Sequence, residues 1–173
     1  MRLLLPIILI LLLNNCSEMK PEDYKNTRPI IKIEEYFQGN VKAWGMLQGR
    51  SGEVKRQFVA DMKGEFDGQN LILDETFIWN DGEKQERRWT IKKVGDNRYE
   101  GTAADVVGIA NGVSYGSAFK FEYKLLIPYK GKKIKVRFDD WIFKQDEKTA
   151  INKATLTKFG FKVGELTVFF IKD

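Results

Sequence analysis

The 173 residues contain no histidine and a single cysteine, Cys16. Those absences exclude Ser-His-Asp and Cys-His catalysis, His-ligated metal sites, cysteine-cluster zinc and any disulfide within the chain. No apolar run is long enough to span a bilayer. The longest, Leu3 to Leu13, has eleven residues, roughly 16 Å as a helix against a hydrocarbon slab of roughly 30 Å. Past Tyr36 no long segment keeps a helical period, and no Gly-rich phosphate loop precedes a Lys-Ser/Thr pair. What is present is 43% apolar residues, 13% aromatics and 31% charged residues, which fits one globular domain and not a disordered chain.

The apolar run follows one positive charge, Arg2, and ends at Leu13-Asn14-Asn15-Cys16-Ser17. It reads as the core of an export signal. With the lone cysteine immediately behind it, the segment resembles a bacterial lipoprotein signal, which implies cleavage before Cys16 and acylation of its sulfur. Two or three acyl chains suffice for stable membrane attachment. Ser17, in place of the aspartate that retains many such proteins at the inner membrane, implies the periplasmic face of the outer membrane. The alternatives are a plain secretory signal with a leftover thiol, or an uncleaved anchor.

The expected organisation is a signal over residues 1–15, a lipidated N-terminus and flexible tether over 16–35, and one β-barrel domain over 36–173. The tether assignment rests on polarity, Pro21, Pro29 and the lack of any period. Lys and Arg number 29 against 24 Asp and Glu, a net charge of +5. Export and the even spread of lysine argue against nucleic acid as a partner. Weak attraction to anionic headgroups is the better reading.

Alternation of period two dominates the body. Phe119-Lys120-Phe121-Glu122-Tyr123-Lys124-Leu125 and Lys133-Ile134-Lys135-Val136-Arg137-Phe138 place apolar and charged residues on opposite faces. Turn signals at Asp81-Gly82, Lys130-Gly131, Gly160 and Gly164 separate the runs. About eight to ten long strands joined by hairpins predict an all-β, antiparallel up-and-down barrel of lipocalin-like architecture. One hairpin can be registered. A three-residue loop Asn80-Asp81-Gly82 sets Leu71 opposite Ile91, Leu73 opposite Trp89 and Glu75 opposite Arg87. A two-residue loop would oppose Leu71 to Lys92, so apolar matching selects the former.

Tyr36-Phe37-Gln38-Gly39, Ala43-Trp44-Gly45, Glu75-x-Phe77, Asp81-Gly82, Arg87-x-Trp89, Tyr99-x-Gly101-x-Ala103, Asp105-Val106-x-Gly108, Asp139-Asp140-Trp141 and Lys158-Phe159-Gly160 occur in that order. Together they resemble the DUF3833 family, a set of bacterial proteins of unassigned function that includes lipoproteins. The resemblance runs from about Tyr36 to the end and implies an envelope lipoprotein, with no activity attached. A weaker echo is of lipocalins, whose first strand carries Gly-x-Trp. Here Gly39 and Trp44 are five apart, so only the architecture is similar.

Glu75 shares a strand face with Leu71, Leu73, Phe77 and Trp79, so it points to the apolar side with Arg87 across from it. The pair is either a structural ion pair or a polar anchor for a ligand head group. Asp140 faces inward with Val136 and Phe138, unless a bulge at Asp139-Asp140 turns Trp141 in instead. A buried carboxylate there would have a raised pKa. Trp79, Trp89, Phe121 and Trp141 are candidate pocket aromatics. The glycines from Gly101 to Gly116 read as bends, bulges or close backbone approaches. No catalytic set, metal or cofactor is assigned.

Three functions compete. The first is a lipid-anchored barrel that binds an apolar or amphipathic, lipid-like small molecule. The second is a non-enzymatic envelope structural or assembly protein with a filled core. The third is an enzyme, which would have to work with carboxylates alone.

Overall fold

The computed structural model describes residues 19–173. The apolar run, Cys16 and the first residues of the expected tether lie outside the described residues. The strands are β1 (Gly39–Gly49), β2 (Val54–Phe66), β3 (Asn70–Trp79), β4 (Lys84–Lys93), β5 (Arg98–Thr102), β6 (Ala110–Tyr115), β7 (Ala118–Tyr129), β8 (Lys132–Lys144), β9 (Thr149–Lys158) and β10 (Phe161–Lys172). Each pairs antiparallel with its neighbour in the chain, and β1 pairs with β10, so the sheet closes. The ten-strand up-and-down barrel is the architecture expected, at the top of the expected strand count.

Alternation decides which face goes inside. On β7, Phe119, Phe121, Tyr123 and Leu125 are buried while Glu122 and Lys124 pair outward across β8 with Asp139 and Arg137. The β3–β4 hairpin has the three-residue loop: Leu71 pairs with Ile91, Leu73 with Trp89 and Glu75 with Arg87. Gly82 sits at φ +86°, the left-handed region that only glycine enters cheaply. Gly101 on β5 faces inward, where an added Cβ would lie 2.5 Å from the Phe121 ring. Its bare backbone is what lets that ring lie against the wall.

The tether is where the structure departs from expectation. A 3-10 turn (Pro21–Tyr24) and a single helical turn, α1 (Ile33–Tyr36), pack onto the barrel. Ile31 and Ile33 are each 1% exposed, and burying such a side chain contributes about 1.5–3 kcal/mol. The Ile31 amide donates to the Gly116 carbonyl at 2.8 Å, and Ser114 Oγ donates to the Ile31 carbonyl at 2.6 Å. Tyr36 Oη donates to the Lys148 carbonyl at 2.9 Å, and the Phe37 ring meets Phe170 edge-on at 5.5 Å. This segment plugs one barrel end, so packed structure begins well before residue 36. Hairpins β1–β2, β3–β4, β7–β8 and β9–β10 all turn at the opposite end.

Trp44 does not close an end as a lipocalin tryptophan does. It is 41% exposed on the outer face, 6.3 Å from Phe169.

Candidate functional site

Midway along the barrel the apolar interior is interrupted by charge. Glu75 on β3 and Arg87 on β4 are opposite each other and both point inward, because they continue the inward series through Leu71, Leu73, Trp89 and Ile91. Arg87, however, gives its best bonds to a third residue. Its Nε lies 3.1 and 3.2 Å from the two carboxylate oxygens of Asp105, and its Nη2 lies 2.7 Å from Oδ2. This is the bidentate geometry in which guanidinium–carboxylate pairs are strongest. Asp105 belongs to the β5–β6 connection, which folds back along β7. Val107 N donates to the Lys124 carbonyl at 2.8 Å and Leu126 N to the Asp105 carbonyl at 2.9 Å.

Glu75 is left over. Its Oε2 is 3.7 Å from Arg87 Nη1, beyond hydrogen-bond reach, and is buried without any hydrogen-bond partner. The residue is 9% exposed. Burial pushes its carboxyl up to about 7. The Arg87 charge opposes that shift, Asp105 and Asp140 reinforce it, and the Trp89 indole N–H opposes it as a donor to the carboxylate.

Asp140 enters from the far wall, on β8 beside Phe121. It accepts hydrogen bonds from Tyr123 Oη at 2.9 Å and from Asn152 Nδ2. Burial raises its pKa to about 6, the two hydrogen bonds and Arg87 opposing, and neighbouring Asp139 adding to the rise. Asp139 faces the other side of the sheet, 3.5 Å from Lys120 Nζ.

These groups border a cavity of about 110 Å³. Phe58, Phe77, Trp89, Phe121 and Phe170 form much of its apolar wall, and Glu75, Arg87, Tyr123, Asp140 and Asn152 supply its polar groups. Of the four aromatics expected in a pocket, Trp89 and Phe121 line it. Trp79 meets Phe58 edge-on at 5.0 Å nearer the open end and carries Arg56 over its ring at 4.1 Å. Trp141 is on the outer face, buried beneath Tyr24 at 5.8 Å, because β8 keeps its alternation and no bulge turns the residue in. Sequence reasoning did not assign Asp105, Tyr123 or Asn152 to the site. Asp105 could have been suspected as the one carboxylate in a run of small residues. Among the described residues no group of three or more His, Cys, Asp or Glu could hold a metal ion.

A family model described as a protein of unknown function, DUF3833, matches residues 10–172. The chain belongs to the DUF3833 family. Among solved structures, a protein of unknown function from the DUF3598 family of Nostoc punctiforme is similar at a TM-score of 0.61 and 12% identity, over 84% of this chain and 51% of that one. The DUF3833 chain therefore spans about half the length of that relative. An S-type phycobiliprotein lyase from Guillardia theta is similar at a TM-score of 0.59 and 9% identity, over 83% of this chain and 93% of that one. At such identities the likeness shows the fold alone. No curated protein matches the chain in sequence. Within this DUF3833 protein, the segments on which the resemblance rests bring Glu75, Phe77, Arg87, Trp89 and Asp140 to one cavity, with Asp105 bonded to Arg87 at its edge.

Proposed function

We propose that this protein is a lipid-anchored envelope barrel that holds a small amphipathic molecule in its interior, body among the aromatic rings and polar end at Glu75. The observation that carries the reading is the buried, unbonded Oε2 of Glu75 at the cavity wall. A structural ion pair would have used that oxygen, and leaving it bare costs about 1–3 kcal/mol or more. The architecture is one that ligand-binding barrels share, and the phycobiliprotein lyase is a neighbour in fold. The cavity is smaller than the roughly 300–1,000 Å³ of drug-sized pockets. It accepts a compact molecule, and a lipid-like ligand with a long acyl chain would enter only if the side chains at the open end parted.

On this reading acyl chains on Cys16 hold the domain at the periplasmic face of the outer membrane. Cys16→Ser should release the protein from the membrane fraction; retention there with normal processing would refute the anchor.

The small cavity favours a second reading, a filled structural barrel. Native mass spectrometry of protein extracted gently from membranes separates the two. A bound mass that is lost on displacement by a fluorescent fatty acid, or by a smaller amphipath, supports the binding barrel. A clean apo mass with no displacement supports the filled one.

A further inference from the structure

The charges around the cavity narrow the chemistry of what it would hold. This step rests on the interior being a binding site and concerns the kind of ligand. Three carboxylates, Glu75, Asp105 and Asp140, stand against one guanidinium, Arg87. Arg87 gives Nε and Nη2 to Asp105 and turns Nη1 toward Glu75 at 3.7 Å, so a ligand carboxylate or phosphate would meet three acids with one guanidinium already shared between two of them. Asp140 is satisfied by Tyr123 and Asn152. Among these carboxylates, Glu75 Oε2 is the buried oxygen left without a hydrogen bond, an acceptor once the carboxyl is ionised.

The rings around it suit a positive charge. Trp89 sits 5.2 Å from Phe121 and 5.4 Å from Tyr123, centroid to centroid. The electron-rich faces of such rings attract cations by about 0.5–2 kcal/mol, most when desolvated. Phe77 already carries a cation, with the Arg87 guanidinium carbon 5.7 Å from its centroid.

We propose that the ligand is a small organic cation, a primary amine or a methylated ammonium, whose charge pairs with Glu75 Oε2 inside the aromatic wall. The cation would complete the charge balance that Arg87 alone leaves short. Its size is bounded by the cavity: an apolar cavity of about 150 Å³ takes up benzene, so about 110 Å³ suits roughly five heavy atoms. A raised Glu75 pKa agrees with this. The groups facing it, Arg87, Asp105, Asp140 and Tyr123, leave it short of positive partners, and a bound cation would return it to the ionised state.

The test uses three probes of matched shape: n-butylammonium, n-butanol and n-butyrate. The full chain in detergent is titrated with each while the Trp89 indole resonance, assigned with Trp89→Phe, is followed by NMR. Butylammonium should bind at least tenfold more tightly than butanol, and butyrate should not bind. The preference should grow from pH 6 to pH 8 as Glu75 ionises, the probe staying protonated as a lysine would. Glu75→Gln should erase the preference while butanol binding persists; a thermal melt shows whether that variant is folded, and the wild-type comparison stands without it. Butyrate binding as well as butylammonium, or an unchanged preference in folded Glu75→Gln, would overturn the cation and leave the binding barrel intact. If no probe binds and the native mass is clean, the binding reading itself falls, and the cation with it. A co-purified ligand identified as neutral or anionic also overturns the cation.

Discussion

Two glutamates are buried among the described residues, and they live opposite lives. Glu34, on α1 at the plugged end, is 4% exposed. Lys93 Nζ donates to its Oε1 at 2.6 Å and Tyr99 Oη to its Oε2 at 2.8 Å. Burial pushes that carboxyl up, yet the bonds from Lys93, its own backbone amide and Tyr99 outweigh burial and hold it below the ordinary value. Glu75 lies at the centre of the barrel, enclosed by far more protein than Glu34 at the plugged end, and there burial wins, so its pKa rises to about 7. What separates the two is depth together with the supply of donors. At Glu34 both oxygens are claimed by the fold, and the residue fastens the plug to β4 and β5. At Glu75 the one nearby cation gives its hydrogen bonds to Asp105 and offers Glu75 only an approach at 3.7 Å, with the Trp89 indole as its other donor.

The strongest way to break this contrast is Arg87→Met. It removes the only cation among the described residues lining the cavity and should cost about 3–5 kcal/mol in urea unfolding at neutral pH, as when one partner of a buried charge set is deleted. A loss below 1 kcal/mol would mean that water reaches the cluster.

Stability against pH sharpens it next. The folded pKa of Glu75, about 7, lies above its unfolded value near 4.5. The folded state thus binds the extra proton, and its contribution is complete below about pH 4.5 and lost as pH rises to 7, roughly 3 kcal/mol in all. Asp140 acts in the same direction up to about 6. Glu34 has the opposite sign: its contribution is present above about pH 4.5 and is lost as pH falls through its lowered folded pKa. Asp67 and Asp146, held low mainly by hydrogen bonds from their own loops, steepen the acid limb. Thermal melts should therefore peak near pH 4.5–5, and Glu75→Gln should flatten only the alkaline limb. An alkaline limb that Glu75→Gln leaves unchanged would show that Glu75 titrates normally.

At pH 8, Glu34→Ala should lose about 2–3 kcal/mol, since its hydrogen bonds involve a charge, whereas Glu75→Gln should be neutral or stabilising. Both losing stability would erase the contrast. A smaller effect separates the partners of Arg87. Double-mutant cycles should give stronger coupling for Arg87 with Asp105 than with Glu75, by about 1 kcal/mol, following bonds of 2.7 Å against an approach of 3.7 Å. Equal couplings would show that Arg87 divides itself between the two. As a control, Arg88→Ala should change the melting temperature no more than experimental scatter, because its pair with Asp74 lies on the exposed outer face.

How far the sequence could be read follows the range of the interactions. Period-two alternation is local, so the all-β fold and the inward face of β7 were legible. Turn chemistry at Asn80-Asp81-Gly82 is local too, and with apolar matching it set Glu75 opposite Arg87. Asp105 was hidden because it reaches Arg87 only after the β5–β6 connection folds back along β7, a path with no periodic signal. Trp141 was ambiguous because a single bulge would have reversed its face; β8 has none there. The tether failed for a compositional reason. Ile30, Ile31 and Ile33 are three apolar residues in a polar stretch, and only the open barrel end shows why Ile31 and Ile33 go inside while Ile30 stays exposed.

Closure of β1 on β10 also sets a schedule. Val41 pairs with Lys172 and Gly49 with Gly164, so β1 is made over a hundred residues before its second partner. In the exported chain proposed above, the barrel folds after translocation, and the closing pair forms last across a long sequence separation, which is slow. Until that pair forms, one side of the first strand has bare amides and carbonyls, a template for any other strand it meets. Its composition suits a long wait. Gly39, Gly45, Gly49, Asn40 and Lys42 make it a poor seed for stacking with copies of itself, while Gly45, whose added Cβ would strike the Phe58 ring at 2.2 Å, still fits its place once the barrel shuts.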